Sequence, residues 1–355
     1  MKKQKQEARK EKNRKRYIGV DLHSDSFTVC FFMEEAEYEI VTLKLQGGGL
    51  EQFIKMLQPN DELAVEATGN STWFREQVSG HVARVVVVAP THFDVILRSV
   101  KKTDKNDARA LAVFLKNGLL PEARVKSKQH AQLTSAIRTR DRLVKQGVSH
   151  RNHVTGMCNG HGIKLKKKSL NSKVGFDRVL NSCEWSDVER AELEAISDQL
   201  EVIREHVKRM EAIIVGVAKT LPGFENLISI KGIGALSAAV LLTTVGDIKD
   251  FRRPGHLAAY FGITPRVSQS NDSRRVGRIT KHGSKIARST LVQCTLVAIR
   301  YSPYLRSFYN RLKSKRGSGK AIIATARKLL NAVFYTLKHG WVFEDFPNFE
   351  LKACN

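Results

Sequence analysis

The sequence predicts an α/β domain followed by an all-α remainder, and three observations carry that prediction. Short β-branched and aromatic runs fill residues 17–89. A wholly apolar stretch, ARVVVVA (83–89), closes that region as a strand covered on both faces would. Beyond it, apolar residues recur at spacings of three and four. A chain of 355 residues is long enough for two or three domains, each with its own core.

Three strands come first: YIGVDL, SFTVCFF and YEIVTLKL, separated by short polar links that predict an antiparallel meander. Leu50, Phe53, Ile54 and Leu57 then mark one face of a helix. A strand follows at ELAVEA (62–67), a helix around Trp73–Val78, and the valine strand, which Pro90 ends. Helical patterns resume from about Thr91. Three strands, helix, strand, helix, strand, helix is the element order of an RNase H-like fold.

Four acids fall at informative places on that scaffold. Asp21 ends the first strand and Glu66 the fourth, at one end of the sheet. Asp104 and Asp107 lie three apart in TDKNDARALAVFL and share a helical face. Thr103 is placed to cap that helix, and acids in its first turn also suit the dipole, so capping alone explains one of the pair. It does not explain Asp21 or Glu66. Clustered carboxylates repel unless cations sit among them, and an all-oxygen cluster suits Mg²⁺ beside a phosphate. Asp25, in DLHSD, reads as a turn acid.

Charge divides by segment. Residues 1–16 carry +7, residues 17–119 carry −4, and residues 120–355 carry +22 of the net +25. A mildly acidic domain beside a very basic remainder fits metal chemistry in one and polyanion binding in the other. The first sixteen residues read as a disordered basic arm that grips nucleic acid. Five scattered cysteines without CxxC spacing fit a reducing cytoplasm, and no apolar run is long enough to span a bilayer.

Residues 120–180 read as basic and irregular, a helix near Leu133, Ile137 and Val144 being interrupted by Gly147, Gly156, Gly160 and Gly162. His150, His153, Cys158 and His161 have HxxH and CxxH spacings, but no finger arrangement, and the positive surroundings disfavour zinc. From Leu193 through Ile196, Leu200, Ile203, Val207, Met210, Ile214 and Val217 to Leu221, spacings of three and four form a coiled-coil seam. Its facing helix comes either from a second subunit or from the preceding helix folded back, and the unbroken pattern favours oligomerisation. LISIKGIGALSAAVLLTTVGDI (227–248) resembles a helix-hairpin-helix, with Lys231, Gly232 and Gly234 placed for phosphate contact.

Phe251–Gly283 mixes glycines and hydroxyls with Arg266, Arg274, Arg275, Arg278 and Lys281 and reads as a loop leading to a helix near Ser284. Guanidinium groups there would hold a phosphate, and a serine beside them would have the charge of its attack stabilised. Chemistry alone leaves Ser268, Ser270 and Ser273 open, and leaves metal-activated water as another route.

YIGVDLHSDSFTV, LAVEATGNSTW, VVVVAPTHFDVILRSVKKTDKNDARALA and the block IKGIGALSAAVLL…FRRPGHLAAYFGITPR…RRVGRITKHGSKIAR together resemble the IS-one-ten group of insertion-sequence transposases. These DEDD transposases are related to the pilin-gene DNA invertases. The resemblance runs through nearly the whole chain after the basic tail. It implies a RuvC-like domain over residues 17–122, a basic helical and coiled-coil region over 123–222, and a C-terminal transposase domain over 223–355. It implies Mg²⁺ held by Asp21, Glu66, Asp104 and Asp107, with Ser270 as the nucleophile that forms a transient phosphoserine link to DNA, Ser268 being the nearest competitor. The active site would be composite. The group's partners are donor and target DNA and a structured bridge RNA that guides the enzyme to both, and a homodimer or homotetramer is implied, working in the cytoplasm on the nucleoid. The departure is Asn271–Asp272 after the serine, where many relatives carry glycine. Two rivals stand beside this expectation: a structure-selective nuclease or resolvase that uses activated water, and a non-catalytic nucleic-acid scaffold.

Overall fold

The structure, a computed structural model, describes residues 15–33, 37–89, 103–124, 126–270 and 273–342, with residues 270 and 274 described by backbone only. The basic arm through residue 14, and the helix expected from Thr91 as far as residue 102, lie outside the described residues. The chain divides into two compact units, Met1–Val125 and Lys126–Asn355.

The first unit is a mixed α/β layer. Strands β1 (Tyr17–Leu22), β2 (Ser26–Phe32), β3 (Tyr38–Lys44), β4 (Glu62–Glu66) and β5 (Arg84–Val88) form one sheet in the order β3-β2-β1-β4-β5. The β1–β2 and β2–β3 pairs are antiparallel, while β1–β4 and β4–β5 are parallel. Parallel pairing needs crossovers, and helices α1 (Gly49–Met56) and α2 (Ser71–Val78) precede and follow β4. Strand alternation sends Ile18, Val20, Leu22, Phe27, Val29 and Phe31 to one face, where they pack with Phe53 and Phe74 of these helices. The opposite face takes α3 (Asp104–Lys116) through Ala108, Leu111, Ala112 and Leu115.

Gly19 sets how closely α3 lies. A Cβ at this β1 position would stand 1.9 Å from the Ala108 carbonyl oxygen and 2.6 Å from the Ala112 nitrogen. Glycine inside a strand marks such close backbone approach. Asp21 follows two residues later on the same strand face, and Asp104 sits one turn before Ala108 on the same helix stripe.

The second unit is helical apart from one ribbon. Helices α4 (Lys128–Gly160) and α6 (Asp187–Ala218) are long and packed together, with α5 (Lys173–Leu180) between them in sequence. The expected breaks in α4 do not occur: one helix of 33 residues runs through Gly147 and Gly156. Each glycine costs about 1 kcal/mol of helix propensity, and packing along α6 outweighs it. Gly147 is buried in that contact, where an added Cβ would lie 3.5 Å from the Ile203 side chain. The α6 seam thus faces α4 of the same chain. Leu193, Ile196 and Leu200 pack with Val154 and Cys158, and Ile214 belongs to the same core as Leu133 and Ile137. The capping box of Ser186 and Glu189 starts α6.

Helices α7 (Phe224–Ile228), α8 (Ala235–Val245), α9 (Pro254–Tyr260), α10 (Lys285–Tyr301), α11 (Pro303–Arg316) and α12 (Ser318–His339) complete the unit. Every residue of α8 from Ala238 to Val245 is buried, as expected of a helix apolar all round. No described helix is long and apolar enough to cross a membrane. The loop expected over Phe251–Gly283 is replaced by α9 and an antiparallel ribbon, β6 (Pro265–Ser270) and β7 (Ser273–Ile279). Both faces of this ribbon are solvated, which is why its sequence shows no alternation of apolar and polar residues.

Candidate active site

Asp21 is the buried member of the acid group, 8% exposed near the end of β1. The β1–β4 register pairs Val20 with Val65, so Asp21 and Glu66 each follow by one residue at the same sheet end, on the face that carries α3. Thr103 caps α3 by accepting a hydrogen bond from the Asn106 backbone N–H at 3.3 Å. That cap fixes the first turn, which contains Asp104 and Asp107.

His23 completes the cluster and was not anticipated from the sequence. Its Nε2 lies 3.3 Å from Asp21 Oδ2 and 3.6 Å from Asp104 Oδ1. Ligand atoms of Asp21, His23 and Asp104 all fall within 4.8 Å of one another. Glu66, half-buried, and Asp107 stand outside this triplet. The signal was available in DLHSD, where an imidazole follows Asp21 by two residues. The His23 loop is braced by the segment after β4. Asn70 Nδ2 donates to the His23 carbonyl oxygen at 2.8 Å, and Thr68 Oγ1 donates to Asn70 Oδ1 at 2.9 Å.

Burial pushes the Asp21 carboxyl above its ordinary pKa, His23 pulls it down, and the charges of Asp104 and Asp107 push it up again. A divalent cation at this point would relieve the repulsion. The donor set fits one: two carboxylates and an imidazole converge, with one carboxylate held rigidly by burial.

The ribbon of the second unit gathers the serines. Register pairs Val267 with Val276, Ser268 with Arg275, Gln269 with Arg274 and Ser270 with Ser273. Over the regular part of the ribbon, strand parity places positions 268, 273 and 275 on one face and positions 267, 269 and 276 on the other, and the register shifts between Pro265 and Val267. Arg266, Ser268, Arg275 and Arg278 are exposed. The side chains of Ser270 and Arg274, and residues Asn271 and Asp272, lie outside what is described.

The root of the ribbon is clamped. Arg288 Nη1 donates to the carbonyl oxygens of Phe261, His282 and Gly283 at 3.3, 2.9 and 3.0 Å, and burial lowers its pKa. Gly262 (φ +68°) and Gly283 (φ +81°) allow the two chain segments to meet; a Cβ on either would stand about 2 Å from a carbonyl oxygen of His282 or Tyr260. Lys281 keeps an exposed side chain at φ 58°.

Other expected contacts are distributed differently. Lys231 and Gly234 are exposed, whereas Gly232 (φ +108°) packs on α10, where a Cβ would be 2.8 Å from the Cys294 oxygen and the Ala298 nitrogen. Close packing alone requires glycine there. His153 pairs with Glu192 at 2.8 Å, His161 pairs with Glu189 at 2.7 Å, and Cys158 is buried in the α4–α6 core, so these three side chains already have partners without zinc.

Two transposase domain families match the chain. Residues 18–185 match a DEDD transposase domain of the IS110 group, and residues 224–310 match the domain described as transposase IS116/IS110/IS902 family. The chain belongs to this transposase family. It is 25% identical over 334 residues to the transposase for insertion sequence element IS1111A of Coxiella burnetii, covering 88% of this chain and 86% of that one. It is 26% identical over 347 residues to the pilin gene-inverting protein of Moraxella bovis, covering 93% and 98%. A probable family 20 transposase of Pseudomonas aeruginosa is 25% identical over 291 residues, 80% and 84% of the two chains. The protein is therefore an insertion-sequence transposase, an enzyme of DNA recombination, and its DEDD class implies use of a divalent metal.

Proposed function

We propose that this transposase cuts and rejoins DNA through a Mg²⁺ site formed by Asp21, Glu66, Asp104 and Asp107 and through Ser270 as nucleophile. On this reading residues 17–122 are an RNase H-like, RuvC-like domain, residues 123–222 a basic coiled-coil region, and residues 223–355 the transposase domain with its helix-hairpin-helix. The observation that carries it is the convergence of Asp21, His23 and Asp104 ligand atoms within 4.8 Å on a chain of this family.

The bound cation would supply charge neutralisation at a phosphate oxygen. The chain's own residues do the rest. Asp21 stays fixed by burial, while exposed Asp104 adapts from the first turn of α3. His23 sits where it orients both carboxylates. In the ribbon, the Ser270 Oγ–H gives up its proton as Oγ bonds to phosphorus, and the bond from phosphorus to the departing sugar oxygen breaks as that oxygen takes a proton. Arg275, which pairs with Ser268 in the ribbon register, and exposed Arg266 hold the phosphate and stabilise its developing charge. Reversing the steps rejoins a strand, since the phosphoserine link conserves the bond.

The +22 charge of residues 120–355 supports binding of donor DNA, target DNA and a structured bridge RNA that pairs with both. Val202 and Ile213 of α6 remain half-exposed after α4 has packed, which supports a dimer or tetramer built on that helix. Work on the nucleoid in the cytoplasm follows from the DNA substrate.

The test is recombination in cells carrying the element's two ends with its flanking RNA-coding sequence. Ser270→Ala and Asp104→Ala should each abolish recombination, and a covalent protein–DNA adduct should be trapped by the wild type and not by Ser270→Ala. Full activity in both variants would sink the assignment. An adduct that persists in Ser270→Ala would move the nucleophile to Ser268, and cleavage with no adduct would favour activated water.

A further inference from the structure

The segment joining α4 to α6 carries a cavity that the proposed chemistry does not use. It has a volume of about 320 Å³, and Lys167, Lys168 and Arg178 contribute to its lining together with Ser169, Ser172 and Gly175. No carboxylate lines it. Among the described residues, none of these three cations forms an ion pair, and residues 164–173 hold five lysines without one acid. Isolated surface lysines would be free to spread apart, but these are tied to a built wall.

That wall is rigid for identifiable reasons. Leu170, Phe176, Val179 and Trp185 are buried against Leu193, Ile196 and Leu200 of α6. Ser172 caps α5 by accepting from the Gly175 N–H at 3.1 Å. Gly175 is obligatory, since a Cβ would stand 1.7 Å from the Ser169 carbonyl oxygen. Lys168 holds a left-handed backbone at φ 69°, a conformation glycine would adopt without strain. Backbone strain of this kind, at a residue that lines a cavity, is typical of ligand clamps.

We propose that this cavity grips the sugar–phosphate backbone of a nucleic-acid strand, through the three cations and the hydroxyl groups beside them. Phosphate contacts of this kind position a strand without reading its sequence. The proposal rests on the chain being a nucleic-acid-binding transposase and is independent of the acid cluster and of Ser270.

Binding of the full chain to a random DNA duplex and to an RNA hairpin, each of about 30 nucleotides per strand, tests it across a range of salt. Each lost phosphate contact lowers the slope of log affinity against log salt by about 0.9 on duplex DNA and about 0.7 on single strands. Lys167→Ala/Lys168→Ala/Arg178→Ala should therefore reduce the slope by roughly 2 to 3 on one polymer or both, and the polymer affected names the source of the phosphate. Lys168→Gly guards against misfolding: it relieves the strained backbone, so it should keep or raise Tm while reducing the slope by roughly one. Unchanged slopes on both polymers overturn the proposal. So does a wild-type Tm rise with inorganic phosphate that the triple variant loses while polymer binding stays intact, for that marks a small-anion site. Running the same titrations in a Ser270→Ala background separates this contact from catalysis, because no cleavage is read.

Discussion

The acid cluster and the serine ribbon meet opposite mechanical demands. Asp21 is held by the interior of a sheet, with α3 pressed onto it where Gly19 has no side chain. The ribbon stands in solvent on both faces and depends on its root, where Arg288 and two glycines fasten it. Packing holds the Asp21 carboxyl where it cannot relax away from its neighbours, while Asp104 stays exposed in the first turn of α3. A part that must reach a phosphate is better carried on a tethered projection, because an isolated two-stranded ribbon has little stability of its own.

The sharpest way to break this contrast is to add a side chain to a glycine in each region. Gly19→Leu forces α3 off β1 and should cost at least the 1–3 kcal/mol typical of overpacking, together with all recombination. Gly277 in the ribbon has only ordinary contacts for a Cβ, 3.6 Å from Arg266 Cβ, so Gly277→Ala should leave Tm unchanged. Thermal melts of the two variants decide it; equal losses would show that the packing argument at Gly19 is wrong.

A second effect is opposite in sign for stability and function. Burial and like charges raise the Asp21 pKa, so the folded state holds that proton more tightly than the unfolded chain does. Its contribution is fully present below the ordinary carboxylate range and is lost as pH rises through the raised folded value. At neutral pH the ionised group is therefore a burden on the fold. Asp21→Asn should raise Tm at pH 7, with little difference from the wild type in acid, while abolishing recombination. Mg²⁺ should raise the Tm of the wild type, by about 2.7 kcal/mol of stability at one hundred times its dissociation constant, and not that of the variant. A lower Tm for the variant at neutral pH would contradict the assigned strain.

The same contrast explains what could be read from the chain. Strands β1, β2, β4 and β5 were legible because each buries at least one face, and β3 because Val41 and Leu43 pack partly buried against the same core. The places of the acids on their elements were legible because Asp21 and Glu66 interrupt apolar strand ends and Asp104 and Asp107 follow a capping threonine, but of the four only Asp21 and Asp104 join the triplet with His23. His23 escaped notice because a lone histidine in a turn has no pattern; only the fold brings it to Asp104, some eighty positions away. The ribbon escaped because burial writes alternation into a sequence, and Arg266–Ile279 buries neither face. Helix α4 was misread as interrupted because glycine propensity is local, whereas the α6 surface that overrides it is remote in sequence.

The smallest effect tests whether the ribbon is indeed fastened only at its root. Arg288→Met keeps the stem length but removes donors to three carbonyl oxygens. Each lost hydrogen bond from a charged group is worth about 1.5–3 kcal/mol locally, yet the charge was partly desolvated, which returns some of that energy. The net change in global Tm should therefore be small, because α10 keeps Ala287 and Leu291 in the core and its Ser284 cap. Hydrogen exchange separates local from global loosening. Amides of β6 and β7 should exchange faster in the variant while those of α8 and α12 keep their protection. Acceleration spread evenly through the unit would mean that Arg288 supports the whole helical core, and the ribbon would then lose its standing as a separately tethered part.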